Sequence, residues 1–212
     1  MSQGRMERPS SSQRRPTPAT PMPAAPPAIE VYSPTARAFH WLTVLLLAAQ
    51  IPLGIAMSWR GNTLNIWDAL TNTLYSTHKM TGLVILLVVI ARLVYRLMHG
   101  APADEPTIEP WQRIVSHITH WALYALLIAI ALTGWLGVSL YPALDVFGFK
   151  LPALASPDKD AAARVLAVHF FGAVALILLA GMHVGAALFH YVIRKDGVLN
   201  RMLPGLPRRD RR

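Results

Sequence analysis

Residues 165–193 read VLAVHFFGAVALILLAGMHVGAALFHYVI, a run that contains no Asp, Glu, Lys or Arg. About 20 apolar residues are enough for a helix to cross a bilayer, so this run predicts a membrane-spanning helix. Three similar segments precede it, and lipid cannot satisfy loose backbone groups, so helices are expected in all four. The predicted spans are approximately residues 38–59, 74–98, 114–140 and 163–193. The predicted fold is therefore an all-α integral membrane bundle of four transmembrane helices.

The composition of the chain agrees with a membrane protein. Hydrophobic residues make up 53% of the 212 residues, and only 15% are charged, against about 25% charged residues in soluble domains. Cysteine is absent, which excludes disulfides and thiolate metal sites. A bound metal would have to use His, Met, carboxylate or backbone ligands.

The net charge of +9 predicts the orientation of the bundle. Nucleic-acid binding is disfavoured because the basic residues flank the apolar spans. Of the Lys and Arg residues, 15 fall on the side of the two termini and 5 on the other side. The positive-inside rule then predicts that both termini lie in the cytoplasm. The loop at 141–162 would face outward as a surface cap.

The two ends of the chain differ from the spans in composition. Residues 1–30 are rich in Pro, Ser, Ala and Arg, too polar to bury a core, and predict a disordered tail. Residues 31–204 form the predicted membrane domain. Residues 205–212 form a basic C-terminal tail.

Histidines within the spans are the candidate functional residues, because ionisable groups in a membrane are costly. His169 and His183 are 14 residues apart. At about 100° per residue both lie on one helix face, and roughly 21 Å of helix axis separates them. His78 lies at the same predicted depth as His169, and His40 at the depth of His183.

These depths predict two histidine pairs, His40–His183 and His78–His169, at two heights in the membrane. Two axial imidazoles suit haem, whose four ring nitrogens complete the coordination of iron. Zinc or copper is the competing interpretation, but it requires three or four ligands at one point, and the separation divides the histidines into twos.

Other polar and small residues surround these positions. Gly82, Gly172 and Gly185 would make room for a porphyrin, or would serve helix packing instead. His117, His120 and His190 lie near the cytoplasmic side. They are candidates for haem propionate contacts, a quinone pocket or proton relay, and an interfacial polar cluster is the alternative.

Four groups of residues together resemble the bacterial cytochrome b561 family, and within it the superoxide oxidase type. The resemblance covers Val31 to Pro204, and the long Pro-rich tail before it departs from the family pattern. The matching stretches are Arg37-Ala-Phe-His40-Trp41; His78-Lys79-Met-Thr-Gly82 with Arg92-Leu-Val-Tyr-Arg96; His117-Ile-Thr-His120 with Leu132-Thr-Gly134-Trp135; and His169 through His183 and His190 to Arg194-Lys195-Asp196-Gly197 and Pro204.

This resemblance implies two haem b groups, with axial ligands at His40, His78, His169 and His183. It also implies ubiquinone as an electron partner. Arg37 joins the candidates for haem or quinone contacts. Lys79 and Arg164, near the outer ligands, are candidates for attracting an anion such as superoxide, and the alternative is that they are ordinary interfacial anchors.

Three hypotheses follow for the function. The first is an oxidoreductase that oxidises superoxide at the periplasmic side and reduces ubiquinone. The second is a respiratory electron carrier without its own enzymatic activity, which links a periplasmic redox protein or dehydrogenase to quinone, as related membrane subunits of hydrogenases do. The third is a non-redox scaffold or proton path.

Overall fold

Four long helices form the protein in the computed structural model, which describes residues 30–207. All four are long and apolar enough to cross a membrane, which confirms the predicted helical membrane architecture. The helices are α1 (Pro34–Ser58), α2 (Ala69–His99), α3 (Pro110–Leu140) and α4 (Lys159–Phe189). Short π-helical segments extend α1 through Trp59–Thr63 and α4 through His190–Arg194. Residues 1–29 of the predicted N-terminal tail and residues 208–212 of the predicted C-terminal tail lie outside the described residues.

Each helix begins several residues before the apolar run that predicted it, because a polar cap starts it. Ser33 caps α1 by accepting a hydrogen bond from the Ala36 amide. Glu109 and Gln112 form a capping box at the start of α3, and Asp158 accepts two amides of the first turn of α4. These bonds satisfy amides that the first turn of any helix leaves free.

Asp68 caps α2 and makes an ion pair with Arg60 at 2.7 Å. Hydrogen bonds from the Thr71 amide and hydroxyl, aided by Arg60, lower the pKa of Asp68 from 3.8 to about 2. A carboxyl whose pKa is lower in the folded state stabilises the fold above pH 4 and loses that contribution as pH falls toward 2.

We therefore expect Asp68→Asn, which keeps a capping side chain but cannot ionise, to unfold at a lower temperature than the parent protein at pH 7. The difference in melting temperature should shrink as the pH falls from 4 to 2. Thermal denaturation in detergent at several pH values measures it. A difference independent of pH would contradict this role of the ionised carboxylate.

The helices pack in chain order, α1 on α2, α2 on α3 and α3 on α4. Among the described elements, the backbone of α4 makes few close approaches to α1 or α2. A buried apolar layer crosses the middle of the bundle, and Leu176 of α4 lies in it, seven residues from both His169 and His183. The members of this layer are Ile85, Val89, Tyr124, Leu127 and Leu176.

A β-hairpin lies in the connection between α3 and α4, at the end of the bundle called here the hairpin end. Strands β1 (Asp145–Val146) and β2 (Phe149–Lys150) pair antiparallel. Their turn residues, Phe147 and Gly148, both have positive φ, as a type I′ turn requires. The Trp135 indole donates to the Pro152 carbonyl, which ties this connection to α3 as the predicted cap over the bundle.

The opposite end, called the terminal end, joins the first and last described segments. The Tyr32 amide donates to the Arg201 carbonyl, and the Trp41 indole donates to the Met202 carbonyl. Arg201 is buried, donates to the carbonyls of Glu30 and Ala103, and lies over the Tyr32 ring. The first and last described residues therefore lie at the same end of the bundle, whichever side of the membrane that end faces.

Candidate metal centres

The structure brings together both predicted pairs of histidines. The ring centres of His78 and His169 are 6.2 Å apart at the hairpin end, and those of His40 and His183 are 6.4 Å apart at the terminal end. A metal–imidazole bond is about 2 Å long and the ring centre lies about 1 Å beyond the nitrogen, so two imidazoles on opposite sides of one metal have centres about 6 Å apart. Both spacings fit one metal between two rings.

His169 is oriented by a neighbouring helix. Its Nδ1 lies 2.8 Å from the Ile130 carbonyl of α3. The carbonyl can only accept, so Nδ1 carries the proton and Nε2 keeps a lone pair for a metal. Gly134 faces the same ring, and a Cβ there would lie 2.9 Å from its Nδ1. Helix α3 thus fixes both the tautomer and the position of His169.

His78 is positioned by α1. A Cβ at Gly54 would lie 3.1 Å from the His78 ring, and the Gln50 amide donates to the His78 carbonyl. Over the described residues, two buried atoms here lack a hydrogen-bond partner, Nδ1 of His78 and Oε1 of Gln50. The close glycine restricts where the imidazole can lie.

The terminal-end pair has more polar neighbours. Arg92 of α2 lies 3.1 Å from Nδ1 of His40. His120 of α3 has its ring centre 5.1 Å from that of His183, and its Nδ1 donates to the Ser116 carbonyl. Gly181 and Gly185 lie two residues before and after His183 and so face the other side of α4, where a Cβ would meet nothing within 4 Å.

The other predicted glycines contact protein groups. A Cβ at Gly82 would lie 3.3 Å from the Gln50 amide nitrogen. A Cβ at Gly172 would lie 3.0 Å from Ile130, so Gly172 allows α3 and α4 to approach, as the packing interpretation expected. A haem-packing role stays a prediction for Gly82, Gly172 and Gly185.

The remaining predicted histidines have acidic partners. His117 is exposed and lies 3.0 Å from Asp104, which also pairs with Arg113 at 3.3 Å. His190 lies 2.6 Å from Asp196, whose side chain is only 1% exposed. His117 thus lies at the surface, whereas His120 faces the terminal-end pair of histidines.

The three predicted basic site residues differ in their surroundings. Lys79 donates from its ammonium to the carbonyls of Ala143 and Asp145, so it ties α2 to the β-hairpin. Arg164 is exposed near the start of α4. Arg37 is half-buried, and its Nε has no hydrogen-bond partner among residues 30–207. Attraction of an anion by Lys79 and Arg164, and a cofactor contact by Arg37, stay predictions.

Lys79→Met keeps the aliphatic stem of the side chain and removes the ammonium. We expect backbone amides of residues 143–151 to exchange hydrogen at least about tenfold faster, because a hydrogen bond to a charged group contributes about 1.5–3 kcal/mol. Hydrogen–deuterium exchange of the protein in detergent measures this. Lys159→Met, an exposed lysine at the same end, is the control. Equal exchange in both variants would show that Lys79 does not anchor the hairpin.

Four residues beside the histidine pairs were not predicted as site residues: Gly54, Gln50, Gly134 and Arg92. Three of them contact a histidine on another helix, and Gln50 bonds the backbone of one. Gly134 and Arg92 belong to the stretches that resemble the family, and this resemblance could have identified them as site residues.

The residues present fit haem better than a metal held by protein alone. Within residues 30–207, no group of three or more His, Cys, Asp or Glu side chains could hold a metal ion. Each pair could therefore supply two nitrogen ligands, and the tetrapyrrole would supply the other four. The backbone of α4 makes few close approaches to α1 or α2, which leaves room for the ring between the helices that carry each pair.

Comparison with known proteins agrees with this arrangement. Residues 31–205 match the family model of prokaryotic cytochrome b561. Cytochrome b561 homolog 2 of Escherichia coli (strain K12) is 32% identical over 176 residues, which cover 82% of this chain and 92% of that protein. Cytochrome b561 homolog 1 of the same organism is 28% identical, over 82% of this chain and 97% of the homolog. A protein of Yersinia pestis named probable superoxide oxidase CybB is also 28% identical, over 82% of this chain and 96% of its own length.

The matched region contains all four helices and both histidine pairs. The chain therefore belongs to the prokaryotic cytochrome b561 family, a family of membrane electron-transfer proteins that bind b-type haem.

Proposed function

We propose that the protein binds two haem b groups, one between His78 and His169 and one between His40 and His183, and transfers electrons across the bacterial inner membrane to ubiquinone. The spacing of 6.2 Å and 6.4 Å between the ring centres is the observation that carries this proposal. Haem b supplies one-electron oxidation and reduction when it is bound. The protein supplies the axial nitrogens, the orientation of each imidazole and a dry interior.

The proposed direction follows from the charges of the connections. With both termini in the cytoplasm, the hairpin end faces the periplasm and the terminal end faces the cytoplasm. His78 and His169 then lie near the donor side, and His40 and His183 near the opposite side. The apolar layer at Leu176 and Val89 separates the two pairs.

The residues at the terminal end can serve the reduction of a quinone, which takes up two electrons and two protons. Asp196 is buried and holds Nδ1 of His190 at 2.6 Å. This bond fixes the tautomer of the imidazole and leaves Nε2 as the atom that exchanges a proton. His190 and Asp196 are therefore the proposed source of protons for the quinone, with His120 and His117 as further candidates.

Superoxide is the proposed electron donor. The relative named probable superoxide oxidase CybB is similar along nearly its whole length. Two superoxide anions would each lose one electron and leave as dioxygen, while one ubiquinone gains two electrons and two protons to become ubiquinol. Arg164 is exposed at the hairpin end, where a positive charge would raise the encounter rate with an anion.

A superoxide pulse should reduce the b-type haem of the purified protein and, with added ubiquinone, form one ubiquinol for every two superoxide anions. The rate should fall with ionic strength, and Arg164→Gln should weaken that dependence. Arg113→Gln, which removes a charge near the terminal end, is the matched control. Haem reduction no faster than chance collision would refute superoxide as the donor.

An electron-transfer subunit for a periplasmic redox protein is the second candidate. The observation that favours it is the tip of the β-hairpin, where Phe147 and Phe149 are 57% and 78% exposed, since exposed aromatic residues often form protein interfaces. Affinity purification from native membranes tests it. Retrieval of a redox protein that Phe149→Ser fails to retain would favour this candidate, and superoxide oxidation by the isolated chain would disfavour it.

A further inference from the structure

A small, partly open pocket lies at the terminal end, next to the contact between Arg92 and His40. Two arginines, Arg92 and Arg96, belong to its wall. They are one helical turn apart on α2, so their guanidinium groups lie on the same side of the helix. The wall includes Tyr32, Arg92, Tyr95, Arg96, Tyr124 and Met202.

These two arginines have aromatic neighbours. Arg92 lies over the Tyr124 ring at 5.2 Å, and Arg96 lies over the Trp121 ring at 5.9 Å. In the part of the chain that the structure describes, no carboxylate forms an ion pair with either. Neighbouring cations in a membrane-spanning helix are costly unless an anion compensates them. The pocket therefore has the charge of an anion site.

The contact between Arg92 and His40 restricts what that anion does. A guanidinium group has only N–H donors, so Nδ1 of His40 must act as the acceptor in this contact. A neutral imidazole that ligates iron through Nε2 carries its proton on Nδ1 and becomes a donor there. Two donors, the Arg92 guanidinium and the protonated Nδ1 of His40, cannot form a hydrogen bond with each other. When His40 binds iron, Arg92 therefore needs a different acceptor.

We propose that Arg92, together with Arg96, binds the propionate carboxylates of the haem held by His40 and His183. This inference rests on the proposed haem-binding function. A guanidinium group matches a carboxylate with two parallel hydrogen bonds, and the pocket lies at the end of the bundle where the polar edge of a haem would reach the membrane surface. Arg92 is thus a positioning residue, which releases Nδ1 of His40 and sets the charge beside the iron.

The test compares Arg92→Gln and Arg92→Lys with Arg113→Gln, a control at the same end, in purified protein with its haem. Arg92→Gln should lower the midpoint potential of the terminal-end haem, because loss of a positive charge favours the oxidised iron. It should also shift the propionate vibrations in the resonance Raman spectrum. Arg92→Lys should keep most of the potential. The hairpin-end haem should change in neither variant, and His183→Ala identifies which signal belongs to which haem.

The outcomes separate this inference from the proposed function. A parent protein without two b haems would refute the proposed function first. Unchanged propionate vibrations and potential in Arg92→Gln, with both haems present, would overturn only the inference. Loss of the terminal-end haem from Arg92→Gln and its retention in Arg92→Lys would support the inference. Unchanged vibrations together with loss of copurified phospholipid would assign the pocket to a lipid phosphate instead.

Discussion

Replacing His78 by alanine should remove the hairpin-end haem and leave the terminal-end haem in place, and His183→Ala should do the reverse. A single imidazole cannot complete a low-spin iron centre of this type, so the pyridine haemochrome of each variant should report about one haem per chain instead of two. The helices should persist in both variants, because the apolar layer around Leu176 and Val89 contains neither histidine. Circular dichroism measures this separately from haem content.

Exposed His117 provides the matched control, because its partner is Asp104 and not another histidine. His117→Ala should keep both haems. If either ligand variant retained two haems, the proposed pairing would be wrong. If both variants lost all haem with unchanged helix content, the two sites would depend on each other more than their separation predicts.

Gly134→Ala should strongly impair binding of the hairpin-end haem, because it places a methyl group against His169. The new Cβ would lie 2.9 Å from the ring, which the Ile130 carbonyl holds from the same helix. Alanine favours a helix by about 1 kcal/mol over glycine, so helix propensity predicts a more stable protein. We expect instead a hairpin-end haem that is lost or bound with an altered ligand angle. Haem content and the low-spin electron paramagnetic resonance spectrum measure this.

Ala125→Val is the control for that variant, because it adds bulk to an exposed position of the same helix. It should leave both haem signals unchanged. A Gly134→Ala protein with two unaltered haems would mean that His169 can move aside freely. The bond to Ile130 would then have no role in positioning the imidazole.

The sequence predicted the four-helix fold and the proximity of the two pairs of histidines, because hydropathy and helix geometry determine both. Apolar runs define the spans, and the 14-residue separation of His169 and His183 places them on one face at two depths. The helix starts were predicted too far along the chain, because caps such as Ser33 and Asp158 precede the apolar residues. Capping depends on local hydrogen bonds that hydropathy does not register.

Contacts between different helices were harder to predict, because periodicity gives the face of a residue but not its partner. Attraction of an anion by Lys79 stays a prediction, and periodicity did not predict that its ammonium donates to carbonyls 64 and 66 residues away. Gly54 and Gly134 resemble ordinary packing glycines until the His78 and His169 rings are placed against them. The contact of Arg92 with His40 likewise depends on how α1 and α2 are rotated.

The apolar layer at Leu176 has an electrical consequence. The histidine pairs on its two sides are separated by roughly 21 Å of helix, about two-thirds of a hydrocarbon core of about 30 Å. With the hairpin end outside, an electron that crosses this layer moves toward the negative side of an energised membrane. The work is about 1.6 kcal/mol per 100 mV. The transmembrane voltage of respiring cells should therefore slow electron transfer through the protein. An uncoupler, which removes this voltage, should restore the rate.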